Sequence, residues 1–166
     1  MTKLKHIDSE YTISEAYRYL ANAKETIAKS PIAYGRYSDS KYVRKAAGMV
    51  YLAASKALDV YFVSQGIKQA ELPQSIEEYM VFIKKKIPLN GKLSAAMTIV
   101  YQNMHIFAYY RGGTALQMVK EGFENARKII DMINKLLGKT TDHNLLAEPQ
   151  APYKTKRIVK KIKVNN

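Results

Sequence analysis

The sequence predicts an all-α fold: an antiparallel bundle of four to five helices, residues 1–138, followed by a basic C-terminal tail, residues 139–166. Three observations predict it. Apolar residues recur at helical spacing in five segments, no segment alternates convincingly as a strand, and Ser-Pro, Gly, Pro, Gly-Gly and Gly stops separate the segments. The 166 residues make one ordinary domain, and a hydrophobic share of 47% is enough for a core.

Each element has its own local signal. Thr12-Ile13-Ser14-Glu15 has capping-box spacing, and Ile13, Tyr17, Leu20, Ala23 and Ile27 follow until Ser30-Pro31 stops the run. A second helix starts near Ser38 or Asp39 and ends at Gly66. It buries Val43, Ala46, Ala47, Val50, Ala54, Ala57, Leu58 and Tyr61, and its glycine and alanines let a neighbouring helix come close. Ser75 with Glu78 opens a third, short helix, closed by Pro88, whose Lys84-Lys85-Lys86 end suits the negative pole of the helix dipole. The fourth begins near Asn90–Lys92, places Leu93, Met97, Val100, Met104 and Phe107 on one face, and ends at Gly112-Gly113. Thr114 with Gln117 caps the fifth, which carries Leu116, Val119, Phe123, Ala126, Ile130, Ile133 and Leu137 and closes at Gly138. Its outer face pairs Glu124 with Lys128 and Asp131 with Lys135 at i,i+4 spacing.

Composition then removes function classes. With no cysteine there is no disulfide framework, thiolate metal site or cysteine nucleophile. There is no phosphate-binding glycine loop, no HExxH and no EF-hand loop. His6, His105 and His143 lie too far apart in sequence for a local metal spacing, so neither a metal nor a cofactor is expected. No apolar run approaches the ~20 residues that span a bilayer. The N-terminus also lacks the apolar region and cleavage site of a secretory leader, so the expectation is a cytoplasmic protein without a membrane span.

Charge points to partners. The chain carries 27 basic and 14 acidic side chains, a net +13, of which the tail holds +5 and the body +8. Such a field attracts nucleic acid or an acidic partner, or simply keeps a small protein soluble. In the tail, Lys154, Lys156, Arg157, Lys160, Lys161 and Lys163 are interleaved with Tyr153, Ile158, Val159, Ile162 and Val164. Phosphate neutralisation by these cations is the functional reading, and a solvated terminus is the bland one.

Two aromatic–basic clusters flank the helix ends. Arg36 and Tyr37 precede the second helix and Arg44 lies in its first turns, where a cation opposes the helix dipole unless something acidic is near. Tyr109, Tyr110 and Arg111 stand just before the double glycine. An anion held by Arg36, Arg44 and Arg111 is one reading, and solvated cations beside packed tyrosines the other. By helical periodicity Arg44, Gly48, Tyr51 and Ser55 share one stripe, and Ser94, Thr98, Tyr101, His105 and Ala108 another. Facing each other, the stripes would form a polar seam. The candidate ligand-binding residues are therefore Arg36, Tyr37, Arg44, Tyr51, Tyr101, His105, Tyr109 and Arg111, with no residue assigned to catalysis.

"YLANAKETI" followed by "YSDSKYVRKAAGMVYLAASKALDVYF" resembles the first helix pair of HEPN-like bundles, small bacterial helical proteins. The resemblance covers residues 14–137 as architecture. Many such proteins are ribonucleases or toxin-system components whose motif is an arginine followed closely by a histidine. Here positions 98–101 read Thr-Ile-Val-Tyr before His105, and no histidine closely follows Arg111, so that catalytic role carries over to no residue. The resemblance implies a non-catalytic, dimeric bundle that binds a nucleotide, RNA or protein partner, or a degenerate ribonuclease.

Overall fold

The computed structural model describes residues 11–147, with side chains through residue 139. Helix α1 (Ile13–Ile27) leads through two short strands, β1 (Ile32–Ala33) and β2 (Arg36–Tyr37), into α2 (Ser40–Ser64). A single 3-10 turn, Gln69–Glu71, precedes α3 (Ile76–Lys86). Helix α4 (Gly91–Val100) continues without a break as a π-helix, Tyr101–Tyr110, and α5 (Leu116–Ala147) is the last element among the described residues.

The four long rods alternate in direction. Tyr17 near the start of α1 bonds Asp131 midway along α5 while Ile27 at its end shares a cleft with Leu116, Arg44 at the start of α2 bonds Tyr109 and Tyr110, and Asn103 bonds the Met118 carbonyl near the start of α5. These contacts make each pair antiparallel, the arrangement that short links favour. Between the rods Leu20, Leu58, Phe62, Met97, Met104, Ile129, Ile130 and Ile133 are fully buried. Ala46, Ala47, Ala53, Ala54 and Ala57 are also at 0% exposure, so the small-residue face of α2 is packed against its neighbours. Helix α3 closes one end, with Phe82 edge-on to Phe62 at 5.3 Å between centroids.

Contrary to the expectation of no membrane-length apolar segment, helix α2 meets the length and composition of a membrane span, with 25 residues and a stretch of mean hydropathy 1.3. Of that stretch 61% is buried within the bundle, so most of it is core, Leu52 being an exposed exception.

The local signals fared unevenly. Asp39 caps α2, its Oδ1 accepting the Lys41 amide at 2.9 Å, and Ser75 Oγ caps α3 by accepting the Glu78 amide at 3.3 Å. Thr12 makes no side-chain cap to α1; its Oγ1 lies 2.9 Å from Ser14 Oγ, while Glu15 pairs with Arg18. The expected cap of α5 by Thr114 and Gln117 is replaced by a tertiary contact. Helix α5 begins at Leu116, whose amide donates to the Gly35 carbonyl at 2.9 Å, and Gln117 turns to Glu121. Gly138 lies inside α5 and does not end it, so the boundary drawn at 138/139 falls within a helix. Asp131 takes Arg127 as its ion-pair partner at 3.0 Å, one turn before the expected Lys135.

Two features were not foreseen. The first is the hairpin, a small two-stranded addition to the all-α bundle that the sequence predicts. Tyr34 (φ 52) and Gly35 (φ 70) make a two-residue turn with both residues left-handed, the geometry that matches strand twist. Arg36 then bridges Ala115, and the Tyr37 amide donates to the Thr114 carbonyl at 2.9 Å. The second is the π-helix, where bonds reach back five residues, as from the Arg111 amide to the Ile106 carbonyl at 3.0 Å. Its wider turn moves the buried face from Phe107, which is half-buried, to Ala108, which is fully buried.

Candidate functional site

The two stripes do face each other, and they form a seam along α2. Because α2 and the π-helix run antiparallel, Tyr51 meets both Tyr101 and His105, at 6.2 and 4.6 Å between ring centroids. His105 stacks on Tyr101 at 5.4 Å and on Tyr109 at 5.9 Å, each one helical turn away. The rings therefore form a ladder, Tyr101–His105–Tyr109, with Tyr51 leaning on its inner side. Gly48 faces the last rung: a Cβ there would lie 3.4 Å from the Tyr109 ring, an ordinary contact distance. Ala108, expected on this stripe, has left it for the core.

Beside the ladder is a groove of about 460 Å³ lined by Lys45, Gly48, Met49, Tyr51, Leu52, His105 and Tyr109. Leu52 of α2 and Tyr109 of the π-helix are each 46% exposed, so the two helices share an open apolar surface. Burial raises the Tyr51 hydroxyl above the usual tyrosine range, so the ring presents a neutral phenol at all ordinary pH.

Arg44 is accounted for without a ligand. Its Nη1 donates to the carbonyls of Tyr109 at 2.7 Å and Tyr110 at 3.1 Å, the free acceptors at the end of the π-helix. A cation at the start of one helix is thus stabilised by the negative end of its antiparallel neighbour. Gly112, at φ 73, lies directly against the guanidinium, so a side chain there would collide with it. Arg36 reaches the same end of the bundle by its bridge to Ala115, and Arg111 follows the π-helix, but Arg44 is already committed to backbone. Tyr37 stands apart from the ladder, in the cleft with Lys24, Ile27, Leu116, Lys120 and Phe123, where burial raises its hydroxyl. Lys154, Lys156, Arg157, Lys160, Lys161 and Lys163 lie outside the described residues.

At the other end of the seam is a pair that sequence reading missed. Tyr79 of α3 donates its hydroxyl to Asp59 Oδ1 of α2 at 2.9 Å. Burial pushes the Asp59 carboxyl up to about 6, against the smaller opposing effects of the Tyr79 hydrogen bond and Lys56. Ser55, one turn before Asp59, is buried and returns its hydroxyl to the Tyr51 carbonyl at 2.9 Å. Asp59 extends the stripe Tyr51–Ser55 by one more turn, which was the available signal. Among the described residues no three His, Asp or Glu side chains gather.

A helical-bundle domain with a half-open aromatic groove is the class that fold and site define. Within it, the chain belongs to the family described as a domain of unknown function (DUF5618), whose model matches residues 11–135. It is similar to a solved protein of unknown function from Dyadobacter fermentans, at 31% identity and a TM-score of 0.65, covering 74% of this chain and 94% of that one. No curated protein matches.

Proposed function

We propose that the chain is a non-catalytic interaction module whose docking face is the aromatic groove, and that the face receives a second copy of the chain. The observation that carries this reading is the contiguous, partly exposed set of Met49, Leu52, His105 and Tyr109, which lines one groove between α2 and the π-helix. Flat rings held by stacking lose little freedom on contact, and exposed aliphatic side chains beside them gain from being covered. The resemblance of α1 and α2 to HEPN-like bundles supports a binding role without the ribonuclease residue pair. A face of this kind generates a symmetric dimer when it meets itself.

The net +13 supports a second reading, association with nucleic acid through the basic surface and tail. Sedimentation equilibrium at micromolar concentration separates the two. The unmodified protein is expected as a dimer, and Leu52→Glu as a monomer with its helical circular dichroism intact. A clean monomer for the unmodified protein sinks the self-association reading. Salt-sensitive binding of an oligonucleotide by that monomer would move the assignment to nucleic acid.

A further inference from the structure

A second groove, sharing no lining residue with the aromatic one, runs between α4 and α5. It encloses about 590 Å³ and is lined by Lys92, Ala95, Ala96, Ile99, Asn125, Lys128, Asp131, Met132 and Lys135. Its floor is aliphatic, from Ala95, Ala96, Ile99 and Met132, and small side chains on α4 are what leave the cleft open. Its rims are basic, with Lys92 on one side and Lys128 and Lys135 on the other. The single carboxylate, Asp131, is already met by Arg127 at 3.0 Å and by the Tyr17 hydroxyl at 2.6 Å. The lysines therefore set the sign of the groove.

From this combination we infer that the α4–α5 groove docks an acidic amphipathic helix of a partner protein. Positions 125–135 span about 15 Å of α5 at 1.5 Å per residue, room for roughly three turns of a guest helix. A guest stripe of leucines would cover the floor while flanking glutamates reach the lysines on both rims, the helix-in-groove mode of recognition. Charge excludes the chain's own segments. Residues 148–166 hold six basic side chains and one acidic, residues 1–10 hold two of each, and none of the five α-helices has more acids than bases. Among the described residues a second copy therefore offers no helix of the required sign, which keeps this surface distinct from the self-association face. Nucleic acid fits the groove less well: no arginine lines it to fork a phosphate, and no aromatic ring offers a base a stacking platform.

The test uses the full chain and a synthetic helical peptide with a leucine stripe flanked by glutamates, followed by fluorescence anisotropy. The peptide is expected to bind the unmodified protein, with amide shifts at Ala95, Ile99 and Met132 in a nitrogen-15 spectrum. Lys92→Glu/Lys128→Glu/Lys135→Glu should weaken binding about tenfold or more, because three attractive rim charges become repulsive. The control Lys84→Glu/Lys85→Glu/Lys86→Glu, with the same change in net charge on α3, should leave binding nearly unchanged. Ala95→Trp, which fills the floor without altering charge, should also block the peptide. The same peptide with lysines for glutamates should bind the reversed groove. Failure of the acidic peptide to bind, or equal losses in both triple variants, overturns the proposal. So does displacement of the peptide by a single-stranded oligonucleotide with shifts at those same three residues, which would assign the groove to nucleic acid.

Discussion

Asp59 is ionised in water at neutral pH, yet in this fold it lies beneath α3 in a largely apolar stretch of α2, with Tyr79 as its hydrogen-bond donor. Burial holds its carboxyl at about 6, above the roughly 3.9 of an unfolded aspartate, so the folded state binds the proton more tightly. The sign follows from linkage: the contribution to stability is fully present below about pH 4 and is lost as pH rises through about 6. Asp59→Asn keeps an acceptor for Tyr79 and removes the charge. At pH 7 it should stabilise the fold by on the order of 1 kcal/mol, a figure reduced for the partial solvent exposure of the group. The gain should vanish towards about pH 4, where Asp59 itself is protonated. Thermal melts of both proteins across this range check it, and parallel curves would mean that Asp59 is solvated. The sequence held the signal in the stripe Tyr51–Ser55–Asp59, but a lone acid near Lys56 reads first as a surface ion-pair partner. Only the position of α3, set by tertiary packing, turns it into a half-buried group.

All five helices were legible from their spacing, but what fixes a helix start was legible only where the helix's own side chains do it. Asp39 and Ser75 cap their own helices, so local spacing located both. Helix α5 starts where a hairpin carbonyl meets it, and no local rule contains that partner. The π-helix was hidden for a different reason: its residues suit an α-helix equally, and only packing selects the wider turn. Two glycines in α5 show how little a residue type says without its neighbours. Gly138, read as a stop, is exposed with open space where a Cβ would be, whereas Gly122 is buried with Met104 sulfur and carbon directly against that position. Gly138→Ala should therefore stabilise by about 0.5–1 kcal/mol through helix propensity. Gly122→Ala should destabilise by about 1–3 kcal/mol, because Met104 is fully buried and must be displaced. Denaturant midpoints of the two variants should move in opposite directions, and a shared direction would refute the packing around Met104.

Across the whole molecule, helical periodicity was enough to recover the bundle and the two facing stripes, because both depend on a spacing the sequence carries. The closing of the chain on itself was not recoverable, since it joins residues 35–37 to residues 114–116 through backbone atoms alone. Tyr34-Gly35 also lacks the Asn-Gly or Asp-Gly pairing that marks a tight hairpin most strongly. That closure has a consequence for how the molecule breathes. The first amides of a helix have no partner within it and ordinarily exchange with solvent deuterium at rates set by fraying. In α5 the Leu116 amide is held by Gly35, and the Tyr37 amide is held in return by Thr114, each at 2.9 Å. Neither bond can open unless the hairpin lifts from the helix that follows it some eighty residues later in the chain. Both protons should then exchange together, more slowly than the amides of Gln117 and Met118 beside them, and their common rate would time the detachment of the chain's first third from its last.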